Sequence, residues 1–570
     1  MVRIKAYKVL INDAKPKWRL FSVGILFGII AVISQLIVPK KVMVLLDNFS
    51  KGIKSDDLIS VIIWVLVEIL AAMISGYILA KFGQLAIQKL RISLWDRYLK
   101  YSMAFNSTWK TGEKISRLTS DITTVNVFLS VTLPELIKSI VLILGTVIIL
   151  FTLNWQFSLV LLTSLPMFLL LVVPVVSILE KLTVKNQKNM ATFIGDATEV
   201  LYNIQLVKIN STEVFEVNQG TKNINQLYST ALKGTAYESV IVPLVTMLVI
   251  LDIFGILSFG VYQIANKQIT LGILVSSLMY IIQLVAPIAE MGQLVGETSK
   301  ALGSSNELVK LFNHKTEDLI SGFSVIKSGN LNFKNVTFSY HDAEKNVLKD
   351  VSFEAKRGEV TAIVGPSGSG KSTILSLIER LYDIDSGSIE YGDTNIKDYQ
   401  LSSWRNYIGY VTQRPFLRTG TVNDNLIYGL SKPVNEKNIS LSIEQAGFLS
   451  DVNNMPLGLK ASVGIRGANI SGGQQQRLSI ARILLKNADI VLYDEATSAL
   501  DSKTEKIIKN TMYSQAPDKV TIVVAHRLST IVDAHKIIFL ESGQVTGFGI
   551  HDELMNTHPL YREYVENQII

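Results

Sequence analysis

The sequence predicts two parts of different class: an all-α membrane domain of six long helices, then a C-terminal α/β domain. Three observations carry this. Apolar runs occupy Leu20–Val38, Leu58–Ala80, Leu133–Leu153, Phe157–Leu179, Val240–Tyr262 and Leu271–Val295. Most reach the roughly 20 residues needed to cross a hydrocarbon core. Charged residues are only 18% of the 570-residue chain and mean hydropathy is +0.32, which with those runs excludes an ordinary soluble protein. From Leu331 onward the pattern changes to short strands and helices separated by turns such as Tyr391-Gly392-Asp393. The expected limits are a membrane domain over 1–310 with long intracellular helical extensions, a linker over 311–329 and an α/β domain over 330–570.

Residues 1–19 carry Arg3, Lys5, Lys8, Lys15, Lys17 and Arg19 among Ile4, Val9, Leu10 and Ile11. They suit an interfacial basic helix or a solvated positive tail. The following apolar run is too long for a secretory signal and has no small-residue cleavage site. Spans three and four are separated by little more than Asn154-Trp155-Gln156, spans five and six by Ala265-Asn266-Lys267-Gln268. The long connections are rich in Lys and Arg, including Lys89, Arg91, Lys110 and Arg117 in one and Lys181, Lys188, Lys208 and Lys222 in the other. That bias places them and the N-terminus in the cytoplasm, and an even number of spans returns the C-terminal domain there. It also explains the net charge of +7 without nucleic acid. Leu85–Arg91 and Val200–Val207 have helical apolar spacing, so the membrane helices are expected to continue into the cytoplasm. Between them Ser107–Gly112 is a breaker cluster and an expected turn toward the soluble domain. No internal duplication is visible.

Glu68 and Asp252 lie within spans. A carboxylate in hydrocarbon usually faces a wet cavity or a partner, so these two either attract a cationic solute or are simply paired or water-facing. Trp18, Trp64 and Trp155 suit interfacial anchors. There is no cysteine, which removes disulfides, cysteine metal sites and thiol catalysis, and the six histidines have no metal-ligand spacing.

The second half is organised around Gly365-Pro366-Ser367-Gly368-Ser369-Gly370-Lys371-Ser372-Thr373. It follows the strand-like run Val360–Val364 and precedes a stretch of helical spacing, Ile374–Leu381. This is the P-loop pattern in its structural context. The glycines let backbone N–H groups turn inward around phosphate oxygens, and the helix N-terminus adds a favourable dipole end. Lys371 can reach the β- and γ-phosphates of a nucleoside triphosphate and the Ser372 hydroxyl can ligate Mg²⁺. The expected ligands are therefore ATP and Mg²⁺.

Further motifs follow in a set order. Tyr340 ends Val336–Tyr340 ahead of the loop, and Gln413 ends Ile408–Gln413. Ser471-Gly472-Gly473-Gln474 opens an apparent helix. Ile490–Asp494 is a buried strand leading to Asp494-Glu495, with Ser498-Ala499-Leu500-Asp501 next and Thr521–His526 after that. With these motifs, nearly the whole chain resembles an ATP-binding cassette (ABC) exporter half-transporter, most like the bacterial multidrug type.

That resemblance implies roles for the matching positions. Tyr340 stacks on adenine. Asp494 holds Mg²⁺, while Glu495 polarises the attacking water. Gln413 positions water or Mg²⁺ and senses the membrane domain, and His526 contacts the γ-phosphate region. Asp501 belongs to the same nucleotide site. Ser471, Gly472, Gly473 and Gln474 complete the phosphate site of the opposite cassette, so two copies form two sites and a homodimer has every hydrolytic position. Three positions depart from the family pattern: Ile470 stands for Leu, Tyr493 for an aliphatic residue, and Ile465 for a Glu in a loop that meets the intracellular helices.

The implied function is ATP-driven export of amphipathic or drug-like solutes by a homodimer in the cell membrane. Alternatives within transport are a dedicated bacteriocin-like peptide or a lipid; absence of a segment ahead of the basic tail disfavours a fused peptidase. A nonhydrolytic channel or regulator is disfavoured by Glu495 and His526, and a nucleic-acid-handling ATPase by the spans. Import through the same fold is a minor alternative.

Overall fold

A computed structural model describes residues 15–49, 52, 55–109, 111–340, 345–430, 432–496, 501–525, 527 and 531–569. The chain divides into two compact units. One runs to Asp96 and resumes over Thr111–His314; the other takes Arg97–Lys110 and everything from Lys315 onward.

The first unit is helical: α1 (Trp18–Asp47), α2 (Ser55–Lys100), a short α3 (Met103–Thr108, belonging to the second unit), α4 (Thr111–Leu153), α5 (Trp155–Tyr202), a short α6 (Ile204–Ile209), α7 (Glu213–Ala265) and α8 (Leu271–Asn313). Among the described residues, α1, α2, α4, α7 and α8 are long and apolar enough to cross a membrane. Helix α2 continues past its apolar run to Lys100, as the spacing of Leu85–Arg91 leads one to expect. The Val200–Val207 segment differs from expectation. Helix α5 stops at Tyr202, where Asn203 turns out of helical geometry (φ −105°, ψ 32°) and directs its side-chain amide to the Glu199 carbonyl at 3.2 Å. A local side-chain bond competes with the helical ladder there, and α6 starts as a separate turn.

Polar groups lock the helices together. Tyr280 Oη donates to the Leu36 carbonyl at 2.6 Å, joining α8 to α1, and Ser75 Oγ donates to the Gly24 carbonyl at 2.7 Å, joining α2 to α1. Asn154 Nδ2 donates to Gln263 Oε1 at 2.7 Å, and Gln263 in turn bonds Gln156. Buried amides satisfied in this way cost little.

The second unit holds two sheets. An antiparallel one has the order β2 (Leu348–Ala355), β1 (Leu331–Phe338), β4 (Ser386–Tyr391), β5 (Thr394–Asn395). The other has the order β10 (Gln544–Gly549), β9 (Lys536–Glu541), β3 (Val360–Val364), β8 (Val520–Val524), β7 (Ile490–Asp494), β6 (Ile408–Val411) and is parallel except for β10. Strands β3, β7 and β8 are buried throughout, as the continuous apolar runs demand of a parallel sheet covered on both faces.

The helix after β3, α9 (Lys371–Ile378), is clamped at its C-terminal end. Trp404 is fully buried, stacks on Tyr399 and donates from Nε1 to the Ile378 carbonyl at 2.7 Å. Arg405 donates to the Glu379 and Arg380 carbonyls at 3.2 and 2.9 Å and grips Glu317 through two bonds of 2.8 and 2.9 Å. These bonds satisfy carbonyls that the helix end leaves open.

Burial raises the Glu379 carboxyl from 4.5 to about 7, against the opposing pull of Arg405 and Lys486. A carboxyl with a higher value folded than unfolded binds extra protons in the folded state between the two. Stability is therefore full below about pH 4.5 and declines as pH rises to about 7. Glu379→Gln is expected to flatten that decline and raise stability at about pH 8 by an amount of order 2–3 kcal/mol. Denaturation curves at the two ends of the range measure this; the same slope in parent and variant would contradict it.

Candidate functional site

Four neighbouring strands bring the candidate groups together. In the order β3, β8, β7, β6, the carboxyl ends of β3, β7 and β6 lead to the P-loop, Asp494-Glu495 and Gln413, with β8 between β3 and β7. Ligands of open α/β sheets bind outside the carboxyl ends of the strands. His526 and Ser498–Leu500 lie outside the described residues.

The loop itself depends on its glycines. Gly365 has φ +152°, and a Cβ there would sit 2.0 Å from the Leu540 carbonyl oxygen, so no side chain fits. Gly368, at φ +78°, has open space where its Cβ would be. Lys371, only 6% exposed, folds back to donate to the Gly365 and Pro366 carbonyls at 2.8 and 2.9 Å. Its burial lowers its pKa, while Glu495 and Asp494 favour its charged form. Ser369 is buried in the loop, its Oγ lacking a partner among the described residues. A glycine-lined turn, a buried ammonium and an unsatisfied hydroxyl fit a polyphosphate.

Asp494 ends β7. Tyr410 Oη donates to its Oδ2 at 3.1 Å and Ser372 hydrogen-bonds it as well. Burial raises its pKa, those two bonds lower it, Glu495 raises it and Lys371 lowers it. Next to it, Glu495 adopts φ +47°, a left-handed conformation that a non-glycine residue takes at some cost. The turn is held by its N–H to the Val524 carbonyl (3.1 Å) and by Gln476 Nε2 on its own carbonyl (3.3 Å). Its carboxylate accepts from Gln413 Nε2 at 2.6 Å. Gln413 and Glu495, far apart in sequence, are thus in direct contact.

Tyr340 packs edge-on against Phe338 and Tyr382, and its hydroxyl lies 3.2 Å from Thr373 Oγ1. Ser471 caps the helix α10 (Gly472–Lys486): its Oγ accepts from the Gln474 N–H at 3.3 Å and Gln474 Oε1 accepts from the Ser471 N–H at 2.9 Å. This capping box leaves Gly472 and Gly473 in the first turn. Asp501 caps the helix α11 (Ser502–Gln515) by accepting from the Thr504 N–H at 3.2 Å. Its pKa is lowered, first by Thr504.

Among the departures, Ile470 packs on the helical-side core, and Tyr493 is buried in it with its hydroxyl pKa pushed up. Ile465 is 74% exposed, in a turn where Arg466 has φ +53°. Sequence reasoning missed Tyr410 and Gln476. Tyr410 was detectable from register: it pairs with Leu492, and side chains two apart share a face, which puts it beside Asp494.

A family model described as ABC transporter transmembrane region matches residues 21–288, and one described as ABC transporter matches residues 348–498. Over 99% of its length the chain is 36% identical to a multidrug resistance ABC transporter ATP-binding and permease protein of Lactococcus lactis subsp. lactis (strain IL1403), covering 96% of that protein. The chain belongs to the ABC transporter family. Other ABC relatives include a putative multidrug export ATP-binding/permease protein of Bacillus subtilis (strain 168), 31% identical over 96% of this chain and 97% of the relative. An ATP-dependent lipid A-core flippase of Vibrio vulnificus (strain CMCP6) is 29% identical over 96% and 95%. The solved structure of a bacterial Atm1-family ABC exporter with ATP bound superposes with a TM-score of 0.82 at 26% identity, over 97% of this chain and 98% of that one. As an ABC half-transporter, the protein is a multipass membrane exporter that binds ATP and couples its hydrolysis to transport.

Proposed function

We propose that the protein is a homodimeric pump that moves amphipathic cations out of the cytoplasm across the cell membrane, with six spans per copy and the cassette and N-terminus inside. The observation that supports the substrate class is a cavity of about 260 Å³ at membrane depth between α1, α2, α4 and α8. Glu68, Glu135, Glu290 and Lys138 line it. Lys138 pairs with Glu135, while Glu68 and Glu290 have no ion-pair or hydrogen-bond partner among the described residues. Gln283, also in the lining, has a buried Oε1 without a partner among the described residues. Unpaired carboxylates in a low-dielectric wall favour a positively charged solute and disfavour an acidic lipid. Asp252, on α7, is not part of this lining.

In the cassette, ATP binding exchanges the Lys371 bonds to Gly365 and Pro366 for phosphate oxygens. Backbone N–H groups of 367–373 hold the β- and γ-phosphates, and Tyr340 meets adenine. Glu495, oriented by Gln413, polarises the attacking water, with His526 at the γ-phosphate. Ser471–Gln474 of the second copy closes the site, and Asp501 lies at its edge. Ser372, Asp494 and Gln413 offer the oxygen donors that a hard cation takes, and Mg²⁺ held there supplies charge neutralisation for the phosphates.

The test is a Glu68→Gln, Glu290→Gln double variant. Its ATP-driven transport of a cationic dye is expected to fall about tenfold, the equivalent of one charge-assisted contact, with transport of an uncharged amphipath retained. Parental cation transport by this variant would remove the cavity from the pathway.

A further inference from the structure

Asp494 ends β7 as a carboxylate only 8% exposed, and a buried carboxylate is stable only where donors reach it. Two side chains supply them. Ser372, in the first turn of α9, is one. Tyr410 is the other, its Oη donating to Asp494 Oδ2 at 3.1 Å. The two differ in what else they do. The Ser372 hydroxyl is also offered to the cation in the site proposed above, and it belongs to the loop that the nucleotide enters. Tyr410 belongs to β6 and takes no part in that loop.

Its hydroxyl is placed by rigid elements. Strand β6 pairs with β7, Tyr410 opposite Leu492 and Val411 opposite Tyr493, so the side chain at 410 shares a face with Leu492 and Asp494. Its ring packs on the core that includes Ile378, Ile408 and Leu492. On the opposite face, α10 presses on the strand. A Cβ at Gly409 would sit 2.6 Å from Ile483 Cγ2 and 3.3 Å from Ala488 Cβ, so the helix and strand come this close only because residue 409 has no side chain. Lys486, at the end of that helix, donates to the Arg405 and Ile408 carbonyls at 3.0 and 2.6 Å and pins the start of β6.

Three residues beyond Tyr410, Gln413 donates to Glu495 at 2.6 Å. One segment thus reaches both acids, Asp494 from within the strand and Glu495 from beyond its end. The Tyr410 bond is partly buried and the Gln413 bond exposed.

We propose that Tyr410 is a positioning residue for Mg²⁺: its hydroxyl holds one oxygen of Asp494, fixes the rotation of the carboxylate and leaves the other oxygen to the cation. The terminal torsion of an aspartate is soft, and Ser372 alone holds the group at a single point. This inference rests on the Mg²⁺ role proposed above for Asp494.

Tyr410→Phe removes one oxygen and keeps the ring, so the core contact is retained. Mn²⁺ is the probe, titrated into the full-length protein with limiting ADP and followed by electron paramagnetic resonance, a readout that needs no hydrolysis. Tyr410→Phe is expected to hold Mn²⁺ about tenfold more weakly than the parent, with equal ADP affinity in EDTA. In ATP turnover, the half-saturating Mg²⁺ concentration should rise about tenfold while the rate at saturating Mg²⁺ stays within about threefold of the parent. Damaged packing would instead lower the EDTA affinity and the saturating rate. Mn²⁺ binding unchanged or tighter in Tyr410→Phe would overturn the inference. Asp494→Asn separates it from the reading beneath it. Weakened Mn²⁺ binding in Asp494→Asn but not in Tyr410→Phe would remove the tyrosine alone; unchanged binding in both would remove Asp494 from the Mg²⁺ site as well.

Discussion

Replacing Glu495 with Gln is expected to lower ATP turnover by a factor of about 100 or more while leaving ATP binding in place. The substitution keeps the side chain's size and its contact with Gln413, 2.6 Å away. It removes the negative charge that the proposed mechanism uses to polarise the attacking water. The backbone is held independently, by the Val524 carbonyl and by Gln476, so the left-handed turn at Glu495 should persist. A site that binds ATP but cannot cleave it should accumulate the dimer with two nucleotides enclosed. Phosphate release from purified protein measures turnover, and retention of labelled ATP through gel filtration measures trapping. Turnover within about tenfold of the parent would remove Glu495 from the proposed role.

Lys371→Ala should fail at an earlier step. The ammonium is nearly inaccessible, and two backbone carbonyls of its own loop hold it. In the proposed site it is the charge the loop brings to the triphosphate, and charge-assisted contacts to phosphate are roughly twice as strong as neutral ones. Removing it is expected to abolish both measurable ATP binding and turnover. Glu495→Gln, by contrast, loses turnover alone. Binding of a fluorescent ATP analogue separates the two, with thermal unfolding run alongside to establish that the variant is folded. Normal nucleotide affinity in folded Lys371→Ala would contradict the assigned role.

Much of this was visible in the residues because the chemistry demands local patterns. A P-loop needs its glycines, lysine and serine contiguous, so Gly365–Thr373 announces itself. Apolar runs of span length do the same for the membrane helices. What depends on packing was not visible. Glu68 stood out as an acid in a span, but its company of Glu135, Lys138 and Glu290 comes from two other helices, α4 and α8. The rotation of each helix about its axis decides which faces meet. Asp252 looked equivalent in sequence and lies elsewhere. Tyr410 looked like a strand aromatic until the β6–β7 register set its hydroxyl on Asp494. The break at Asn203 was hidden for a different reason: periodicity reports which residues are apolar, and a single side-chain bond to the previous turn leaves that pattern untouched.

The most direct test of the transport account is ATP-dependent uptake of a fluorescent cationic dye into inverted membrane vesicles, with the parent and Glu495→Gln side by side. Uptake by the parent and none by the variant is the predicted result, since inversion turns export into accumulation and hydrolysis is needed for repeated cycles. Intact ATP hydrolysis with no dye uptake by the parent would contradict the export of amphipathic cations.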